Sequence, residues 1–503
     1  MSNTPITTTS DWTFELVERF YKEIETIAVD ELGLDVYPNQ IEIISAEQML
    51  DAYSSVGMPI MYNHWSFGKE FIGNHNNYKQ GHMGLAYEIV LNTNPCLVYL
   101  MEENTMMMQG LVIAHAAFGH NAFFKNNYMF RDWTHADSIV DYLVFAKNYI
   151  AECEEKYGAR NVEVLLDTCH ALQNYGVDRY KRRGKLSVEK ELARQKEREQ
   201  YVQSQVNDMW RTVPTPTDKD VKIDRFPNKP DKFPSEPQEN ILYFLEKNAP
   251  KLETWQREII RIVRKIAQYF YPQRQTKVMN EGFATFVHYT IMHRLREKGL
   301  ITDGFMMEFM RDHTNVVYQP PYDSKWYNGI NPYALGFAMF QDIRRICENP
   351  TDEDREWFPD IAGNPDWMGV IRNIVANFKD DSFILQYLSP KVMRDFKLFA
   401  LRDPKGEDEY EITAIHNEEG YKYVRRLLAK QHDPYHSIPN IQVISVDRWG
   451  NRGLTLMHTI TNGRLLERKQ VERVLSLLHV LWKYDVVLKS VTEHGEVKQT
   501  YSA

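Results

Sequence analysis

Apolar positions recur at helical spacing through most of the chain. From about Asp11 to Leu32 the run WTFELVERFYKEIETIAVDEL, opened by a Ser-Asp pair able to cap, predicts a helix. A short strand follows at Gln40–Ser45. The stretch from Tyr62 to His82 is rich in Gly, Asn, His and aromatics but lacks periodicity, so it reads as a site-lining loop. Further helices are predicted at Thr105–Phe118, Ala136–Tyr157, Asn161–Tyr180, Gln238–Phe244, Leu252–Tyr269, Val278–Lys298, Gly304–Asp312 and Pro332–Cys347. Between them, KRRGKLSVEKELARQKERE and a proline-rich charged segment hold too few apolar residues to bury. Residues 181–237 are therefore expected to form an insert outside the core.

From about Tyr410 the texture changes. EYEITAIH, Ile441–Asp447 and Leu454–Thr461 alternate like strands, the last two around the turn WGNRG. Glu418–Gln431 and Glu467–Lys483 read as helices, and Val486–Thr492 as a closing strand. The order βαββαβ is that of a ferredoxin-like unit. The expected fold class is α+β overall: a mainly helical domain over 1–404 and a small α+β domain over 405–503.

Length and composition sharpen this picture. The 503 residues exceed what one core organises, and 43% hydrophobic content is ample for folding. The net charge of −9 argues against a nucleic-acid-binding chain. Cys96, Cys153, Cys169 and Cys347 are widely spaced with no CxxC pair, which points to reduced thiols. MSNTPITTTSDW has neither a basic nor an apolar signal region, and no apolar run reaches the ~20 residues of a membrane span. A cytoplasmic protein is expected. The oligomeric state is not legible.

The candidate chemistry centres on LVIAHAAFGHNAFFKNN, where an apolar helix carries His115 and His120. Neutral imidazoles on a buried helix are good ligands for a divalent metal, zinc first, with iron or manganese as alternatives. Residues five apart diverge by about 140° on a regular helix, so both reach one ion only if the helix ends or bulges near Gly119. A second helix, KVMNEGFATFVHYTIMHRL, brings Glu281 and His288 nearly onto one face. Its Asn-Glu-Gly-Phe-Ala resembles the third-ligand segment of gluzincin metallopeptidases. The general-base glutamate of HExxH is missing from HAAFGH, and Glu102 or Glu103 upstream is a substitute. Asp167 and His170, at i and i+3, form a carboxylate–histidine pair of the kind used in helical metal sites. His64, within Asn63-His64-Trp65-Ser66-Phe67-Gly68-Lys69, suits recognition or a metal contact. There is no Walker loop, no GxGxxG after a strand and no GxSxG elbow.

NHWSFGK, AYEIVLNTNPCLVYLMEEN, VIAHAAFGHNAFFKNN, DTCHALQNYGVDRY, MNEGFATFVHY and YNGINPYALGFAMFQDI together resemble the stage V sporulation protein R (SpoVR) family, in order and over almost the whole chain. The resemblance implies a role in making the spore cortex or, in bacteria that do not sporulate, in stress and envelope physiology. It also implies company: a PrkA-like serine kinase and a von Willebrand A-like protein. It supplies no reaction. Two expectations follow. One is a metal-dependent hydrolase with metal on His115, His120 and Glu281 and protons carried by His288, Asp167 or Glu103. The other is a non-enzymatic regulatory factor that docks the kinase through the insert and the C-terminal unit.

Overall fold

The computed structural model describes residues 4–55, 57–79, 88–179, 233–321, 324–398, 401–402, 411–412, 417–433, 436, 438–461 and 463–502. The expected insert lies almost wholly outside them, as does most of EYEITAIH. The chain divides into two compact units, one of residues 1–167 and 262–438, the other of 168–261 and 439–503. No described helix is long and apolar enough to cross a membrane. All four cysteines are buried and unpaired.

The first unit is built around two buried helices. One runs over residues 106–126 as Met106–Val112, a π-helical stretch Ile113–His120, and Asn121–Asn126. Here it is called the histidine helix. Thr105 caps its start by accepting from the Met108 N–H. The other, Lys277–Glu297, is the glutamate helix, and 14 of its residues are buried, so it is apolar on nearly every side and lies in the centre of the unit. Two glycines set how closely it is approached. A Cβ on Gly119 would stand 2.6 Å from the Ala284 Cα, and one on Gly282 would fall onto the backbone of Gly336 in the neighbouring helix Pro332–Glu348. Its N-terminus is capped from far along the chain. Asp380 accepts from the N–H groups of Val278 and Met279, both at 2.9 Å.

A small sheet borders the histidine helix. Strands β1 (Asn39–Ile44), β2 (Glu88–Leu91) and β3 (Cys96–Met101) lie in the order β1-β3-β2, with β1 parallel and β2 antiparallel to β3. The stretch expected as a loop from Tyr62 is instead a helix, Trp65–Lys79. Its apolar period is obscured by Gly68, Gly73 and the four positions Asn74, His75, Asn76 and Asn77, while His64 Nδ1 accepts from the Ser66 N–H and satisfies its first turn.

The pair β4 (Leu401–Arg402) and β5 (Glu411–Ile412) belongs to the first unit; in the second, β6 (Asn440–Val446), β7 (Leu454–Thr459), β8 (Val486–Val491) and β9 (Val497–Ser502) form one sheet in sequence order. The β6–β7 hairpin is antiparallel, and the parallel β7–β8 step is bridged by the helix Arg468–Trp482, which buries Val471, Leu475, Leu478, Leu481 and Trp482. The α+β class and the ββαβ half of the expected order are present. The first strand and helix of that order go elsewhere. Among the described residues β5 pairs with β4 alone, and Glu418–His432 puts Val424, Leu428 and Ala429 into the first unit's core.

Candidate metal centre

The five-residue step from His115 to His120 would point the rings apart on an α-helix. The stretch that carries them closes its turns over one more residue than an α-helix, so both side chains fall on one face. The two rings stand edge-to-face with centroids 4.6 Å apart. Their Nε2 atoms meet two carboxylates. His115 Nε2 is 3.3 Å from Glu88 Oε1 and 3.8 Å from Glu281 Oε2, and His120 Nε2 is 3.4 Å from Glu281 Oε2 and 3.9 Å from Glu88 Oε1. Glu88, His115 and His120 each offer one ligand atom within 4.8 Å of the others, and such a group can hold a metal ion.

The opposite edge of each ring is occupied. His120 Nδ1 lies 2.9 Å from Asn280 Oδ1, an acceptor, so this nitrogen carries a proton and Nε2 is the atom a neutral His120 offers to a metal. His115 Nδ1 lies 2.9 Å from His288 Nδ1, and His288 Nε2 lies 2.9 Å from His313 Nδ1. If each ring in this series donates outward, His115 Nε2 is also left as a lone pair facing the site. Tyr333 hydrogen-bonds Glu281 and packs its ring near His115.

Without a cation the charges are badly matched to their burial. Burial pushes the Glu88 carboxyl up. Burial acts the same way on Glu281, but the flanking His120 and His115 outweigh it and hold that carboxyl well below its ordinary range. His120 is raised to about 9 because Glu281 and Glu88 overcome the desolvation of its imidazolium. His288 is pushed down by burial and by His115 and His313 beside it, and His313 falls to about 4 for similar reasons. Two carboxylate oxygens, Glu88 Oε2 and Glu281 Oε2, are buried with no hydrogen-bond partner. Glu88 Oε1 and the orphaned Glu281 Oε2, both turned to the two imidazoles, make with them a donor set that fits a divalent cation.

Of the residues singled out from sequence, His115, His120, Glu281 and His288 line one cavity of about 530 Å³. The others stand elsewhere. Glu103 accepts from the Ala46 N–H at the start of the helix Ala46–Ser54, where a negative charge suits the dipole. His64 Nε2 lies 3.2 Å from Asp167 Oδ1, which also accepts from the Trp65 indole at 2.8 Å; neither residue lines the cavity. His170 is half-buried one turn beyond Asp167 on the helix Ala159–Ala171, in the second unit. Sequence reasoning missed Glu88, Asn280, His313 and Tyr333. Asn280 adjoins Glu281, and Glu88 is an acid opening the apolar strand EIVL, so both left a faint trace. His313 and Tyr333 left none.

A helical body with a buried site of two histidines and two carboxylates, followed by a small α+β unit, defines the class of protein. A profile described as "SpoVR like protein" matches residues 11–437, and one described as "SpoVR-like C-terminal domain" matches 439–493. The chain belongs to the SpoVR family. It is 59% identical over 488 residues to an Escherichia coli (strain K12) protein called "Uncharacterized protein YcgB", covering 97% of this chain and 94% of that one. No solved structure matches the chain significantly.

Proposed function

We propose that the chain is a metal-dependent hydrolase whose resident ion, zinc, is held by His115, His120 and Glu88, with Glu281 as the carboxylate that moves protons. The single observation that supports it most is the convergence of one carboxylate oxygen from each of Glu88 and Glu281 on two buried imidazoles whose far nitrogens are already engaged. Bound zinc supplies a water of lowered pKa and a Lewis acid for an acyl oxygen. Glu281 takes the place of the glutamate missing from HAAFGH, because only three protein ligands are needed and the second carboxylate is free for acid–base work. Tyr333, its phenol kept neutral by burial and by Glu281 and Glu88, donates to Glu281 and orients it. Asn280 and His288 fix the two ligand rings.

Metal analysis by mass spectrometry, on protein purified without a metal-binding tag, tests this reading. Near-stoichiometric zinc in the parent and its loss in His115→Ala/Glu88→Ala is the expected result. Metal-free protein that gains none on reconstitution overturns it. Near-stoichiometric iron or manganese, which the same donors accept, keeps the site but overturns zinc as its ion.

A second reading makes the chain a cytoplasmic regulatory factor in spore cortex formation or in stress and envelope physiology, acting with a PrkA-like serine kinase and a von Willebrand A-like protein. What supports it is the second unit, which has its own buried sheet–helix core and its own family profile. Co-purification of the kinase with the full chain, lost on deleting 439–503, is the expected result. Undiminished co-purification after the deletion overturns docking through that unit.

A further inference from the structure

The candidate metal cavity is lined by two acids, Glu88 and Glu281, and by four aliphatic side chains, Val90, Leu111, Val112 and Val316, with Asn331 and Tyr333 as the polar lining beside the histidines. Among the described residues, no lysine or arginine lines it. A divalent ion between two carboxylates gives a site of no net charge. Every imidazole among the described residues that line it is a proposed ligand or is hydrogen-bonded to one, so none of these side chains is left to receive a second anion. Bringing a phosphate or carboxylate into such a cavity leaves a buried charge unpaired, whereas an uncharged acyl group loses little on entering. The four aliphatic side chains fit a short branched or straight acyl chain.

We infer, resting on the hydrolase reading above, that the substrate is an uncharged acyl compound, a carboxamide or ester with a short aliphatic acyl group, and not a phosphoryl or carboxylate-bearing one. In the reaction a water oxygen bonds to the acyl carbon and the carbon–nitrogen or carbon–oxygen bond breaks. One water proton passes through Glu281 to the leaving nitrogen or oxygen, and the other stays with the new acid. No oxidant or second substrate is required.

The test is calorimetric titration of the zinc-loaded full chain with isobutyrohydroxamic acid, which is uncharged in solution, and with isobutylphosphonate. The hydroxamic acid is expected to bind at least ~10-fold more tightly. Val316→Lys, which adds a cation at a half-buried position of the aliphatic lining and touches no proposed ligand, is expected to narrow that ratio several-fold. Phosphonate bound as tightly as the hydroxamic acid, in the parent chain, overturns the substrate class and leaves the hydrolase reading standing. Zinc taken up while neither compound binds overturns both, as does failure to take up zinc.

Discussion

His115 and His288 face one another through their Nδ1 atoms, 2.9 Å apart, and one of the two must be the donor. His288 has its other nitrogen on His313, so the three imidazoles form a series running from the cavity into the core. Burial keeps His288 and His313 neutral, and where a neutral His115 is the donor to His288 its Nε2 is left as a lone pair. In that direction of donation the ring that meets the carboxylates holds its ligand tautomer through a partner 173 positions away in sequence.

His288→Phe should fill nearly the same buried space while removing that acceptor. Zinc affinity, measured by competition with a chelator, is expected to fall about 10–100-fold, the usual effect of removing the outer partner of a ligand histidine. Unchanged affinity would show that His288 does not orient His115.

Glu88→Gln and Glu281→Gln should separate the two carboxylates. The first is expected to lose zinc. The second should retain it and lose turnover of an acyl substrate by about 10²–10⁴-fold, the range for a general base. The reverse pattern in metal content would exchange their roles.

Gly282→Ala should be costly, because its Cβ has nowhere to go but the Gly336 backbone. A loss of about 1–3 kcal/mol is expected, read as a lowered urea midpoint. Gly73→Ala is the control. It lies in the helix Trp65–Lys79 with nothing within 4 Å of the added Cβ, and is expected to be neutral or to stabilise by up to about 1 kcal/mol.

Asp354 links acid stability to the first unit. Arg345 grips it in bidentate fashion at 2.6 and 2.8 Å, and Thr351 donates through both N–H and hydroxyl. Burial raises its carboxyl, but these donors prevail and bring it from 3.8 to about 2. A depressed carboxyl stabilises the fold above its unfolded value and loses that contribution as pH falls towards the folded value, here between about 4 and 2. Asp354→Asn should therefore cost about 1.5–3 kcal/mol at neutral pH. The gap between parent and variant should close across that window in unfolding experiments at graded pH. A gap independent of pH would refute the linkage.

The two central helices were legible because their apolar residues are local and periodic, and a buried helix announces itself in any window of a dozen residues. The histidine pair was legible as chemistry but not as geometry. Spacing alone could not say whether residues five apart would converge, since the π-helical turns depend on how Ile113–His120 is packed, including the close approach of Gly119 to Ala284. Glu88 was hidden for the same kind of reason. It contributes through a strand whose place beside the histidine helix is decided by pairing with β3, not by its own four residues.

The sequence by itself determined the helical body, the α+β character of the C-terminal part and the residue types able to hold a metal, because propensity, periodicity and ligand chemistry are properties of short segments. Tertiary structure alone decided that Glu88 and Glu281 face one pair of imidazoles, that Glu103 and Asp167 serve other contacts, and that Glu418–His432 joins the first unit. Those outcomes are contacts between segments far apart in the chain, fixed by which buried surfaces fit one another.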